Sequence, residues 1–170
     1  MSTKELTKIS LLVAMNCISA YIIIPLPFSM SPIGLQTLVV NMVALLLSPK
    51  KAALTIFVYL LLGLAGVPVF TGGTAGPAKL FGPTGGYILG FLPAVFAMSL
   101  AKGEKYNFTR YLFVTIFIGM PIIDILGVAQ LIFVTGLNWW EATLMGVVPF
   151  VLGDLAKALG SVLLAKKITC

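Results

Sequence analysis

The sequence predicts an all-α membrane protein, a six-helix transmembrane bundle forming one domain over residues 1–170. Three observations lead there. Hydrophobic residues make up 59% of the chain and charged residues only 9%, with a mean hydropathy of +1.10. Soluble domains carry about 25% charged residues, and a globule of this size exposes too much surface to hide so much apolar side chain from water. The apolar residues fall into six runs separated by proline, glycine and charge. Nine of the eleven basic residues sit at or between the ends of those runs, on alternate connections.

Bilayers require about 20 apolar residues per helix. The first helix is predicted over residues 6–24, stopping at Pro25 and Pro27, and the second over 33–47, started by Ser31 and Pro32 and stopped at Pro49. A third covers 51–67 up to Pro68, and a fourth 85–101. The fifth covers 109–134 with Pro121 inside, and the sixth 142–165 with Pro149 inside. The N-terminal run is long for a secretory leader and no A-x-A site follows it, so it is expected to remain on the protein.

The charges set the orientation. Lys4 and Lys8 stand at the start of the first helix; Lys50 and Lys51 join the second to the third; Lys102, Lys105 and Arg110 join the fourth to the fifth; Lys166 and Lys167 follow the sixth. All lie on one side of a six-helix chain, which the positive-inside rule makes cytoplasmic, with both termini. Lys79 is the lone cation of the other side. The net charge of +6 is therefore a topology signal and not a nucleic-acid surface. Trp139 and Trp140 fall at interface height.

Several chemistries are excluded. The chain has no histidine, and Cys17 and Cys170 are too few for a thiolate metal site or a disulfide framework. There is no Walker motif, so any use of ATP belongs to partners.

Within the sixth run, VVPFVLGDLAKALGSVLLAKK holds Asp154 and Lys157 three residues apart, on one helix face near mid-membrane. A single charge there costs about 2.5 to 3.5 kcal/mol on insertion scales, and such residues usually mark a site. Gly146, Gly153 and Gly160 form a stripe beside them that lets another helix approach, which turns the charges into the bundle. Asp124, followed by Gly127 and Gln130, is a second acid expected to face inward. The outer connection VFTGGTAGPAKLFGPTGG is the longest in the chain. Its glycines, Gly72 and Gly73 among them, offer turns and bare N–H groups, while Val69, Phe70, Leu80 and Phe81 suit a lid lying on the bundle.

The segments PIGLQTL, GLAGVPVF, TGGTAGPAKLFGPTGGYILGF and GDLAK, in this order, resemble the BioY family across essentially the whole chain. Gly34 stands where that family often has threonine, and Leu152 where it often has proline; both departures fall outside the acid and lysine of GDLAK. The resemblance implies the biotin-binding S component of an energy-coupling factor importer in a prokaryotic plasma membrane. Such a subunit docks on a transmembrane coupling subunit and two ATPases, with no cofactor of its own. It also implies that Asp154 and Lys157 hold the ureido ring. The chemistry agrees: a neutral ureido group needs both an acceptor and a donor, which a carboxylate and an ammonium supply. Phe28, Phe70, Phe81, Tyr87 and Trp139 are candidates for apolar walls, and Lys79 or loop N–H groups for the valerate carboxylate. Ser10 and Ala14 give the first helix a small-residue face for docking or for internal packing.

Three rivals follow from the same residues. Another vitamin binder would share the architecture. An intramembrane aspartyl protease would use Asp124 and Asp154, although Lys157 opposes proton sharing. A channel or proton-coupled carrier would work without ATPase partners.

Overall fold

The computed structural model describes residues 2–24 and 33–169 and is mostly helical. Helix α1 (Thr3–Ser19) opens on a capping box in which Ser2 and Glu5 satisfy each other's backbone N–H groups. The helix ends earlier than the apolar run. Ile22–Ile24 is a β-branched stretch leading into Pro25, poorly suited to continue a helix. Ile23–Ile24 (β1) instead pairs antiparallel with Ile33–Gly34 (β2), Ile23 opposite Gly34. Phe28 lies outside the described residues.

Helix α2 (Gln36–Leu46) has 11 residues, about 16 Å at 1.5 Å per residue, well short of a bilayer core. Helix α3 (Pro49–Leu64) starts with proline in its first turn. A short helix α4 (Pro77–Leu80) interrupts the long connection, and α5 runs over Gly85–Ala101. The fifth apolar run is one rod of three parts: α6 (Phe108–Val114), a π-helical turn (Thr115–Gly119) and α7 (Met120–Thr135). The π turn ends two residues before Pro121, which stands in the first turn of α7, so the proline's missing N–H and ring fall where the α-helical ladder is already interrupted. Pro149 acts differently. The sixth run divides into α8 (Trp139–Gly146) and α9 (Val151–Thr169), bent by 50°. Among the described residues, Phe108–Thr135 is long and apolar enough to cross a membrane by itself, and the α8–α9 pair qualifies if taken as one span.

The core is assembled chiefly from α1, α2, α3 and α5, with Val40, Ile56, Tyr59, Ile88 and Val95 buried together. A second cluster of Leu45, Tyr111, Val162 and Ala165 joins α2 to α6 and α9. Large apolar side chains also cover the outside: Phe133 is 89% exposed and Leu152 81%. This inverts the soluble pattern and suits lipid as the outer solvent.

Helices α5 and α7 touch through glycine. A Cβ on Gly86 would lie 2.2 Å from the Leu126 carbonyl oxygen, and one on Gly90 3.2 Å from the Ile123 Cα. The obstacle at Gly86 is backbone, which cannot rotate away. Gly86→Ala is therefore expected to push the two helices apart and lower stability by about 1–3 kcal/mol, despite alanine's better helix propensity. Gly153 and Gly160 differ: a Cβ there meets Ile33 at 3.6 Å and Leu38 at 3.4 Å. Gly153→Ala and Gly160→Ala should hold or raise stability, since the contact is ordinary and the propensity gain remains. Unfolding midpoints of the three variants in one detergent check the contrast.

Candidate functional site

Asp154 and Lys157 sit in the first two turns of α9. Their side chains form an ion pair, Nζ to Oδ1 2.5 Å, and both are largely shielded. The lysine also donates to the Gly34 carbonyl of β2 at 3.1 Å. Thr37 on α2 donates to the same Oδ1 of Asp154 at 3.5 Å. These contacts exist because α9 packs along α2 and β2 leads directly into α2. Gly34 thus meets Lys157 through its backbone. A side chain there would meet only ordinary contacts with Ile23 and Thr71, so the glycine's departure from threonine leaves the lysine's acceptor in place.

The pair faces a cavity of about 70 Å³. Helix α2 contributes Gln36 and Thr37, α5 contributes Tyr87, Ile88 and Phe91, and α7 contributes Ile123 and Asp124. Gly146 and Phe150 close it from the α8–α9 bend, and Gly34, Thr71 and Thr84 border it from the connections. A smaller chamber of about 10 Å³, lined by Asn41 and Met120, continues past Thr37, Asp124 and Asp154. The chemical content is plain. Three polar helix faces and three aromatic rings surround a pair of opposite charges, with Asp124 as an additional acid across the cavity.

Neighbouring bonds fix the walls. Tyr87 donates to the Gly146 carbonyl at 2.9 Å, tying α5 to the end of α8. A Cβ on Gly146 would fall 2.3 Å from that hydroxyl, so glycine is what lets the tyrosine reach the backbone. Gln36, 2% exposed, donates to the Tyr59 hydroxyl at 2.6 Å and to the Val69 carbonyl at 3.3 Å. Thr71 donates back to its Oε1 at 2.6 Å. One buried amide therefore pins the start of the long connection to α2. Gln130 pins its other end, donating to the Leu80 and Gly82 carbonyls at 2.7 Å each.

Among the residues singled out by sequence, Asp154, Lys157, Tyr87 and Asp124 share the cavity. The others stand elsewhere. Phe70 is fully buried beneath the connection, edge-on to Tyr59 with ring centroids 5.7 Å apart and its ring against Gly63. Phe81 is 73% exposed and Trp139 faces outward from α8. Gly72 and Gly73 hold positive φ, and their N–H groups are used within the fold, Gly72 donating to Ala20 and Gly73 to Phe70. Lys79 lies half-buried on α4, away from the cavity lining, where burial pushes its pKa below the ordinary lysine value. Gln36, Thr37, Thr71, Thr84, Phe91 and Phe150 line the cavity without having been singled out. The adjacent Gln36 and Thr37 at the head of a helix whose one further polar residue is Asn41 were the available signal, because polar residues within apolar helices face the interior. Among the described residues no cluster suited to a metal ion occurs.

The family model of the BioY family matches residues 1–170. A Pyrococcus horikoshii protein named as a probable biotin transporter BioY is 36% identical over 168 residues, covering 99% of this chain and 98% of that one. The biotin transporter BioY of Thermotoga maritima is 36% identical over 165 residues, covering 97% and 95%. A crystal structure of the S-component for biotin from an ECF-type ABC transporter superposes with a TM-score of 0.89 at 28% identity, covering 99% of this chain and 94% of that one.

Proposed function

The chain belongs to the BioY family, and on that premise we propose that it is the biotin-binding S component of an ATP-driven energy-coupling factor importer. A member of this family is a transporter subunit, not an enzyme. We read the six apolar runs as six crossings of a prokaryotic plasma membrane, with both termini in the cytoplasm. The long connection between α3 and α5 then faces outside. Partner subunits, a transmembrane coupling protein and two ATPases, supply the energy.

The observation that carries the reading of the site is the unfinished hydrogen bonding of the buried pair. An ammonium has three N–H donors; Lys157 spends one on Asp154 and one on Gly34. Asp154 engages Oδ1 with Lys157 and Thr37, leaving Oδ2 without a partner among the described residues. One donor and one acceptor, side by side, complement the carbonyl and an N–H of a ureido ring. Tyr87, Phe91 and Phe150 offer the apolar surface a thiophane ring needs. The valerate then points toward Thr71 and Thr84 at the mouth.

A cavity of about 70 Å³ is far below the about 300–1,000 Å³ of ordinary ligand pockets. Biotin must widen it on entry, and the connection bearing Thr71 and Thr84, tied to α2 by Gln36 and to α7 by Gln130, is the wall that is not itself a long helix. The protease reading has less support. Both aspartates border one cavity, but Asp154 is ion-paired with Lys157 and accepts from Thr37, so its Oδ1 is committed to those partners and not to Asp124.

Equilibrium binding of radiolabelled biotin to the purified chain tests the function. Saturable binding displaced by unlabelled biotin but not by thiamine or riboflavin is expected; displacement by either of those vitamins would reassign the substrate.

A further inference from the structure

A second concavity lies between α3 and α5 and shares no lining residue with the ligand cavity. It is an open groove of about 530 Å³ bordered by Lys50, Ala53 and Phe57 on α3 and by Leu92, Pro93 and Phe96 on α5. Its walls are apolar except at one end, where Lys50 stands in the first turn of α3. Phe57 and Phe96 are 49% and 43% exposed. Pro93 breaks the regular outer face of α5, because the helix cannot use an N–H at that position.

The cations near this end are not equivalent. Lys51 is ion-paired with Glu5. Lys102 is buried and donates to the carbonyls of Ala44, Leu45 and Leu47. Lys50 is exposed, pairs with no acid among the described residues, and shares its groove with no carboxylate. From Lys50 to Phe57 the helix rises about 10 Å. With the reach of the lysine stem, the groove spans about one leaflet of a roughly 30 Å hydrocarbon core.

We propose that this groove binds one phospholipid with an anionic headgroup, its phosphate at Lys50 and one acyl chain along Ala53 and Pro93. An apolar trough one leaflet deep, ending in one uncommitted cation, complements that molecule in both parts. The leaflet assignment rests on the six-crossing reading above, in which Lys50 is cytoplasmic; the groove's chemistry does not. Cationic residues at this level attract anionic lipid, about 1 kcal/mol per lysine, which corresponds to roughly a fivefold preference.

Native mass spectrometry of the full chain, equilibrated with equimolar phosphatidylglycerol and phosphatidylcholine of identical acyl chains, tests the proposal. One retained phosphatidylglycerol, favoured about fivefold, is expected. Lys50→Ala should bring the ratio close to one, and Ala53→Phe should remove both adducts, with Ala53→Leu as a milder block. All three variants should keep wild-type biotin affinity, which also certifies folding. Equal retention of the two lipids by the wild type, or a ratio unchanged by Lys50→Ala, overturns the proposal. So does displacement of the lipid by millimolar inorganic phosphate, which would make this a bare phosphate site. Labelling of Lys50→Cys by a membrane-impermeant thiol reagent added outside would overturn the leaflet assignment and leave the lipid preference standing.

Discussion

Asp154→Asn and Lys157→Ala will each weaken biotin binding by about a hundredfold. Each substitution removes a group assigned to the ureido ring and strands a shielded partner. In Lys157→Ala the carboxylate of Asp154 loses its counter-ion and keeps only Thr37 at 3.5 Å. It then faces Asp124 across the same small cavity. In Asp154→Asn the ammonium keeps the Gly34 carbonyl but loses its charge partner. An unsatisfied buried polar group costs about 1–3 kcal/mol, more when charged, and 1.4 kcal/mol is tenfold in affinity. The losses will not add. Residues in one ion pair are strongly coupled, so Asp154→Asn with Lys157→Ala together should cost less than the product of the single effects. Titration calorimetry on the three variants, each shown folded by its elution profile, reads this directly. Wild-type affinity in both single variants would remove the pair from the site.

The second large effect concerns stability. Lys102→Met will lower it by about 2–4 kcal/mol. Lys102 follows α5 and reaches across to the C-terminus of α2, where its ammonium donates to Ala44 and Leu45 at 2.8 Å each and to Leu47 at 2.5 Å. These are the carbonyls that a helix end leaves without partners, and a cation is favoured there by the helix dipole. Ser99 adds a bond to the Leu47 carbonyl at 2.6 Å. Methionine keeps the apolar stem but none of the donors, so the buried Ala44 and Leu45 carbonyls lose the lysine at once and Leu47 keeps only Ser99. The measured quantity is the unfolding midpoint in detergent. An unchanged midpoint would mean that Ser99 and lipid satisfy the helix end without the lysine.

These two lysines show how far the sequence could be read. Lys157 was conspicuous because an acid stood three residues away within an apolar run. Lys102 looked like any cytoplasmic cation, because its carbonyl partners lie more than 50 residues away. The helical class was legible from the apolar runs. The breaks were not, since prolines alike in sequence act differently: Pro121 opens α7 just after a π turn and the rod continues, whereas Pro149 sits in a 50° bend. At the site, Asp154, Lys157, Asp124 and Tyr87 were identifiable as polar or amphipathic groups within apolar stretches. Gln36 and Thr37 carried the same signal in weaker form. Nothing local could tell that Phe70 turns under its connection against Gly63 while Phe81, eleven residues on, faces outward. That distinction follows from how Gln36 and Gln130 anchor the segment's two ends.

A crystal structure of the biotin-bound protein examines the central claim most directly. The ureido oxygen is expected within about 2.7–3.2 Å of Lys157 Nζ, one ureido N–H on Asp154 Oδ2, and the valerate near Thr71 and Thr84. A valerate carboxylate seated on Lys157, with the ureido ring at the mouth, would contradict it.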